Sequence, residues 1–173
     1  MIKNIFICGK PGCGKTTLIK EILKERKLNA GGFYTSEIRE ERIRKGFKIT
    51  TLNDKEGILA HVNIKSPYRV GKYKVNIKDL EEIGVASILE AMKENKVIIT
   101  NEIGKMEMKS EKFKKAVETA LDSKNKVLGT IMLKPKPFCD KIKQRSDTKV
   151  FYLTRENREL VKEEIKKIAE IWI

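Results

Sequence analysis

Little in this 173-residue chain would staple it covalently, anchor it in a bilayer or hold a soft metal. There are three cysteines, Cys8, Cys13 and Cys139, an odd number with no C-x-x-C and no histidine at ligand spacing. That excludes a disulfide framework and a zinc finger, and leaves three free thiols. No stretch approaches the ~20 apolar residues of a membrane-crossing helix. The apolar opening IKNIFIC runs straight into a glycine-rich loop with no small-residue cleavage site, so it reads as a buried strand and not a signal peptide. A cytoplasmic location is the expectation. Aromatic residues are only 6%, too few for the interleaved stacking platforms of a dedicated RNA binder, and no RNA-binding signature is present. Internal repeats and low-complexity linkers are also missing, so residues 1–173 are expected to form a single domain.

Charge is what the chain has in abundance. Lys plus Arg total 38 against 24 acidic residues, a net charge of +14. The sign favours phosphates, nucleic acid or anionic surfaces as partners. It is not specific, because the lysines are spread over nearly every segment and glutamine occurs once, at Gln144. Lys/Glu-rich, Gln-poor usage also arises as an adaptation to high temperature.

Along the chain, apolar runs alternate with helical stripes. Asn4 to Cys8 reads as a strand, and Thr16 to Lys27 as a helix with Leu18, Ile19, Ile22 and Leu23 on one face. Residues 32–39 and 43–52 flank the polar REER turn and predict an antiparallel hairpin. Asn53 to Lys78, punctuated by Gly, Lys and Pro67, predicts a loop-rich excursion with only short strands. Asp79 is placed to cap a helix carrying Leu80, Val85, Ile88, Leu89 and Met92. The β-branched run Val97 to Thr100 predicts a strand covered on both faces. Ser110 caps a helix with Phe113, Ala116, Val117, Ala120 and Leu121 inward, KVLGTIML supplies another buried strand, and a short amphipathic piece spans Phe138 to Arg145. A strand at Val150 to Leu153 and a Thr154-capped helix complete the pattern. The fold class is therefore α/β: three layers, a mostly parallel sheet between helices joined by right-handed crossovers, and an added antiparallel hairpin.

Gly9-Lys10-Pro11-Gly12-Cys13-Gly14-Lys15-Thr16 satisfies G-x-x-x-x-G-K-[ST] between a strand and a helix, the context that gives the motif its meaning. Glycines let successive N–H groups face an anion, and the helix adds the positive end of its dipole. Lys15 supplies a cation for β- and γ-phosphates, Thr16 a hydroxyl for Mg²⁺, and Thr17 continues the contact. Such loops work with a polar group at the end of a neighbouring buried strand. VIITNEIGKME stands there, with Asn101 as a neutral metal-side residue and Glu102 as the group that orients or deprotonates a water. Gly104 allows close backbone approach, and Lys105 and Glu107 divide evenly between surface and catalytic roles. A cation aimed at developing charge is also expected. Arg39, Arg44, Lys141, Lys143 and Arg145 are the candidates, Arg145 and Arg39 first.

With the loop, GGFYTSEIRE and NEIGKMEM in view, the chain resembles the THEP1 family of small nucleoside triphosphatases over nearly its whole length. The resemblance rests also on Gly46-Phe47, RVGKY at Arg69 to Tyr73, EIGKME at Glu102 to Glu107 and TRENR at Thr154 to Arg158. It implies a slow, magnesium-dependent hydrolase on a fold similar to nucleotide kinases, acting on ATP, GTP, CTP and UTP, with a monomeric state expected. It also implies a second nucleotide-contacting segment: Ile98, Ile99, Thr100, Asn101, Glu102, Ile103, Gly104 and Lys105. Two departures stand out: Asn101 replaces an Asp common in the family, and the REER turn lacks the usual glycine. The alternatives are a P-loop kinase, its acceptor pocket drawn from Asn53 to Lys78, and an NTP-dependent RNA-binding switch.

Overall fold

The computed structural model describes residues 1–172. The chain runs β1 (Asn4–Cys8), α1 (Lys15–Arg26), β2 (Ala30–Glu40), β3 (Ile43–Thr51), β4 (Glu56–His61), β5 (Arg69–Val70), β6 (Tyr73–Val75), α2 (Ile77–Asp79), α3 (Ala86–Lys93), β7 (Val97–Ile103), α4 (Glu111–Asp122), β8 (Val127–Ile131), α5 (Pro137–Lys143), β9 (Thr148–Tyr152) and α6 (Arg158–Ala169). The strands form one sheet in the order β5-β6-β4-β3-β2-β7-β8-β1-β9. From β2 to β9 every pairing is parallel. A parallel pair needs a crossover connection, which is why helices separate these strands in sequence.

Strand periodicity sorts the core into two layers. Ile5 and Ile7 of β1 pack with Leu18, Ile19 and Ile22 of α1 and Val161 and Ile165 of α6, whereas Phe6 and Cys8 join Ile88, Phe113, Val117 and Ile142 on the opposite face. β7 repeats the division, Val97 and Ile99 to one side, Ile98 and Ile103 to the other. Each such side chain contributes about 1.5–3 kcal/mol when fully buried. A strand loaded on both faces holds its register, because a slip of one residue would exchange the two sets. This fixes where β1 and β7 end, and hence where the functional groups emerge.

Three expectations change. The excursion from Asn53 to Lys78 supplies β4, β5 and β6, so the added hairpin grows into an antiparallel wing of β3, β4, β6 and β5. Short alternations such as Leu59, Tyr73 and Val75 are buried there, in runs that glycine and lysine interrupt. Asp79 does not cap its helix. Asn76 accepts from the Asp79 N–H at 3.1 Å, while Asp79 Oδ2 accepts from the Ile58 N–H at 2.8 Å and ties the helix start to β4. Between α2 and α3, Leu80–Val85 form a π-helical turn. Its wider turn rotates the following stripe, and Leu89 ends 47% exposed. Finally, α6 begins at Arg158, four residues after Thr154. Thr154 instead closes a turn with Asn157, whose N–H donates to Thr154 Oγ1 at 3.1 Å while Asn157 Oδ1 accepts from the Thr154 N–H at 2.8 Å.

Candidate active site

β1 stops at Cys8 and α1 starts at Lys15, and the loop between them lies at the C-terminal edge of the parallel strands. A Cβ on Gly9 would come within 2.7 Å of the Leu153 carbonyl oxygen, so only glycine lets the chain leave β1 beside the end of β9. Gly14, with φ +93°, turns the loop into α1. No side chain caps this helix and its first turn holds no acidic residue. Its leading N–H groups are therefore available to an anion, which the helix dipole favours. Lys15 Nζ donates to Gly9 O at 2.9 Å and Lys10 O at 3.1 Å, strapping the loop. Phosphate oxygens would replace these neutral acceptors with charged ones, the stronger kind of hydrogen bond.

β7 is not adjacent to β1, as the sequence suggested, because β8 lies between them. β8 contributes a hydroxyl that bridges the gap. Thr130 Oγ1 donates to Asn101 Oδ1 at 3.0 Å, and Asn101 Nδ2 donates to Thr16 Oγ1 at 2.7 Å. The ends of β8, β7 and α1 are joined through one buried amide. Since both partners are hydroxyls, able to donate or accept, the amide can turn over and offer Oδ1 to Thr16 without losing either bond.

Of the expected second segment, Ile98, Ile99, Thr100 and Ile103 are fully buried. Their side chains lie in the interior, for a simple reason: a strand covered on both faces has no free face. What they deliver is its end, Asn101 and Glu102. Gly104 also has a different task. A Cβ there would meet Glu102 Oε1 at 2.8 Å and Glu107 Oε1 at 3.1 Å, so the missing side chain makes room for two carboxyls. Burial raises the pKa of Glu102, with nearby Lys15 opposing the rise. Glu107 is buried and pushed up to about 8, chiefly by desolvation and then by the like charge of Glu102, with its own and Gly104's N–H groups pulling the other way.

Among the loop residues, Lys10, Pro11, Gly12 and Thr17 are exposed, and Cys13 is half-buried. A cavity of about 340 Å³ opens between Lys10, Pro11, Gly12 and Cys13 on one side and Tyr152, Thr154, Arg155 and Glu156 on the other. Lys105 is exposed and lines a different groove.

The favoured cations lie elsewhere. Arg145 holds Asp147 through Nε at 2.9 Å and Nη2 at 3.0 Å, and Asp122 through Nη1 at 2.8 Å. It stands before β9, at the opposite end of the strands, and is a structural clamp. Arg39 pairs with Glu37 at 2.7 Å near the hairpin tip, and Arg44 shares that Glu37 while donating to the Tyr73 hydroxyl at 2.9 Å. Lys143 Nζ donates to Met132 O at 2.9 Å, tying α5 to the end of β8. Sequence reasoning missed Thr130 and the buried state of Glu107. The one usable signal was Thr130, a hydroxyl inside the otherwise apolar run VLGTIML.

Among the described residues no group of three or more His, Cys, Asp or Glu side chains is placed to hold a metal. The donors on offer, Thr16 Oγ1 and the Asn101 amide, are hard and neutral. They fit a magnesium ion that takes most of its ligands from phosphate and water.

A phosphate loop at the C-terminal edge of a parallel sheet, with a hydroxyl and a carboxylate beside it, defines a P-loop nucleotide-binding protein. A family model described as NTPase matches residues 4–166, and the chain belongs to that family. It is 52% identical over 167 residues to nucleoside-triphosphatase THEP1 of Thermotoga maritima, covering 96% of this chain and 95% of that one. The crystal structure of THEP1 from the hyperthermophile Aquifex aeolicus superposes with a TM-score of 0.84 at 36% identity, covering 94% of this chain and 96% of that one. The solution structure of a human cancer-related nucleoside triphosphatase gives 0.81 at 35% identity, with 96% and 97% covered.

Proposed function

We propose that this protein is a nucleoside triphosphatase that transfers the terminal phosphoryl group to water. The supporting observation is the convergence, at one sheet edge, of an uncapped helix start, Lys15, Thr16 and a half-buried Glu102 whose proton affinity is raised. In this reading Lys15 leaves the Gly9 and Lys10 carbonyls for the β- and γ-phosphates, and the loop N–H groups hold the leaving diphosphate. Magnesium, when bound through Thr16 and phosphate oxygens, neutralises charge on the β- and γ-phosphates. Asn101, held by Thr130, keeps the Thr16 hydroxyl in position. Glu102 takes a proton from water as its oxygen bonds to the γ-phosphorus and the bridging bond to the β-phosphate breaks. Lys15 and Glu102 are the catalytic residues.

The nucleoside fits the cavity between the loop and Tyr152 to Glu156. That wall offers Tyr152, 45% exposed, as a face for any base, so ATP, GTP, CTP and UTP are all substrates in this reading. The continuous sheet supports one domain, acting as a monomer. The test is phosphate release from each triphosphate with Mg²⁺ and no added acceptor. One diphosphate per phosphate is expected from all four; release that stays negligible until an acceptor is supplied would contradict the hydrolase reading and favour a kinase.

A further inference from the structure

Beside the active site lies an open groove of about 630 Å³ that the reaction above does not use. Its walls come from four parts of the chain: β5, the turn after β7, α4 and the start of α5. Five cations line it, Arg69, Lys105, Lys109, Lys136 and Lys141, and all are exposed. None has a carboxylate within 4.0 Å among the described residues, whereas Lys114, also in the wall, is paired with Glu111 at 2.8 Å. Glu118 is the one acidic residue in the lining, and Val70, Met108, Pro137 and a half-buried Phe138 form its apolar part.

We propose that this groove binds the backbone of a single-stranded nucleic acid. Five unmatched charges exceed what one phosphate monoester can neutralise, and they come from three separate segments of the chain that line the groove. Four of the five are lysines, point charges on flexible stems that follow a phosphodiester chain without demanding one planar geometry. Phe138 offers a surface to an unstacked base, which a duplex would keep hidden. Lys105 and Lys109 sit on the turn that follows β7, the strand that carries Glu102, which places the bound strand next to the hydrolytic site.

The experiment is fluorescence anisotropy of the full chain with labelled 12-residue oligo(U) and oligo(dT) across a salt series. With five contacts, log affinity should fall against log salt with a slope of about −3.5, roughly a hundredfold loss between 50 and 200 mM. The triple variant Arg69→Gln, Lys109→Gln, Lys136→Gln should flatten that slope by about 2 and weaken binding at least about tenfold. A matched triple at the opposite end of the strands, Lys27→Gln, Lys124→Gln, Lys126→Gln, removes the same charge and should keep the wild-type slope. Unchanged phosphate release in both shows that they fold. Absence of oligomer binding by the wild type, or equal losses in the two triples, would overturn the proposal. So would displacement of the oligomer by equimolar uridine monophosphate, since that marks a small-molecule site.

Discussion

The flank formed by α1 and α6 and the region around the end of β7 treat charge in opposite ways. On the flank, Glu21 meets Arg158 at 2.9 Å, and Glu25 meets Lys162 at 3.0 Å and Lys166 at 2.7 Å. The hydrogen bond from Arg158 is the main reason Glu21 has a lowered pKa, and the bond from Lys166 does the same for Glu25. Around β7 neither sign is matched: Glu102 and Glu107 have no cation in salt-bridge contact among the described residues, and of the groove cations only Lys114 has a carboxylate. The difference separates scaffold from site. Surface pairs on the flank fasten α1, the helix the phosphate loop leads into, each of them weakly because solvent screens it. Unmatched charge near β7 is tolerable because the missing counter-charge belongs to substrate, metal or strand.

Substitutions on the unmatched side should cost most. Glu102→Gln keeps the shape and removes the base, so turnover should fall about 10²–10⁴-fold with triphosphate affinity retained. Steady-state phosphate release and equilibrium titration measure the two; unchanged turnover would move the role to another group.

Next is Glu107, whose folded pKa of about 8 lies above the ordinary 4.5. Between those values the folded state holds the proton more tightly than the unfolded chain, so stability is present at low pH and lost as pH rises towards 8, at up to about 1.4 kcal/mol per unit. Lowered carboxyls such as Glu21 and Asp147 act below this window, where protonation removes their contribution. Denaturant unfolding from pH 5 to pH 8 should thus show falling stability in the wild type and a flatter profile in Glu107→Gln. Identical profiles would mean Glu107 does not titrate there.

The smallest effect belongs to the matched flank. Glu25→Gln should lower Tm by no more than about 2–4 °C and leave phosphate release unaltered. A large loss of activity would erase the distinction between the two regions.

The parallel half of this fold was legible because its strands are uninterrupted apolar runs and its phosphate loop is contiguous. Of the antiparallel wing only the β2–β3 hairpin was legible, since Leu59, Tyr73 and Val75 belong to strands too short and too interrupted to show a period. The same limit governed the site. Lys15, Thr16 and Glu102 announce themselves through local motifs, but the Thr130 to Asn101 bond joins residues 29 apart, across two strands whose order the sequence does not specify. Arg145 ranked high as a free cation because Asp122, 23 residues away, reaches it only through the fold, and sequence adjacency alone does not show Asp147 turning back onto it.

The central claim is that the loop exchanges its own carbonyls for a triphosphate through Lys15. Calorimetric titration of the wild type and Lys15→Ala with a non-hydrolysable triphosphate and Mg²⁺ tests it most directly. Saturable heat in the wild type, lost in the variant, is the predicted result; no heat in the wild type, or equal affinity in both, would contradict it.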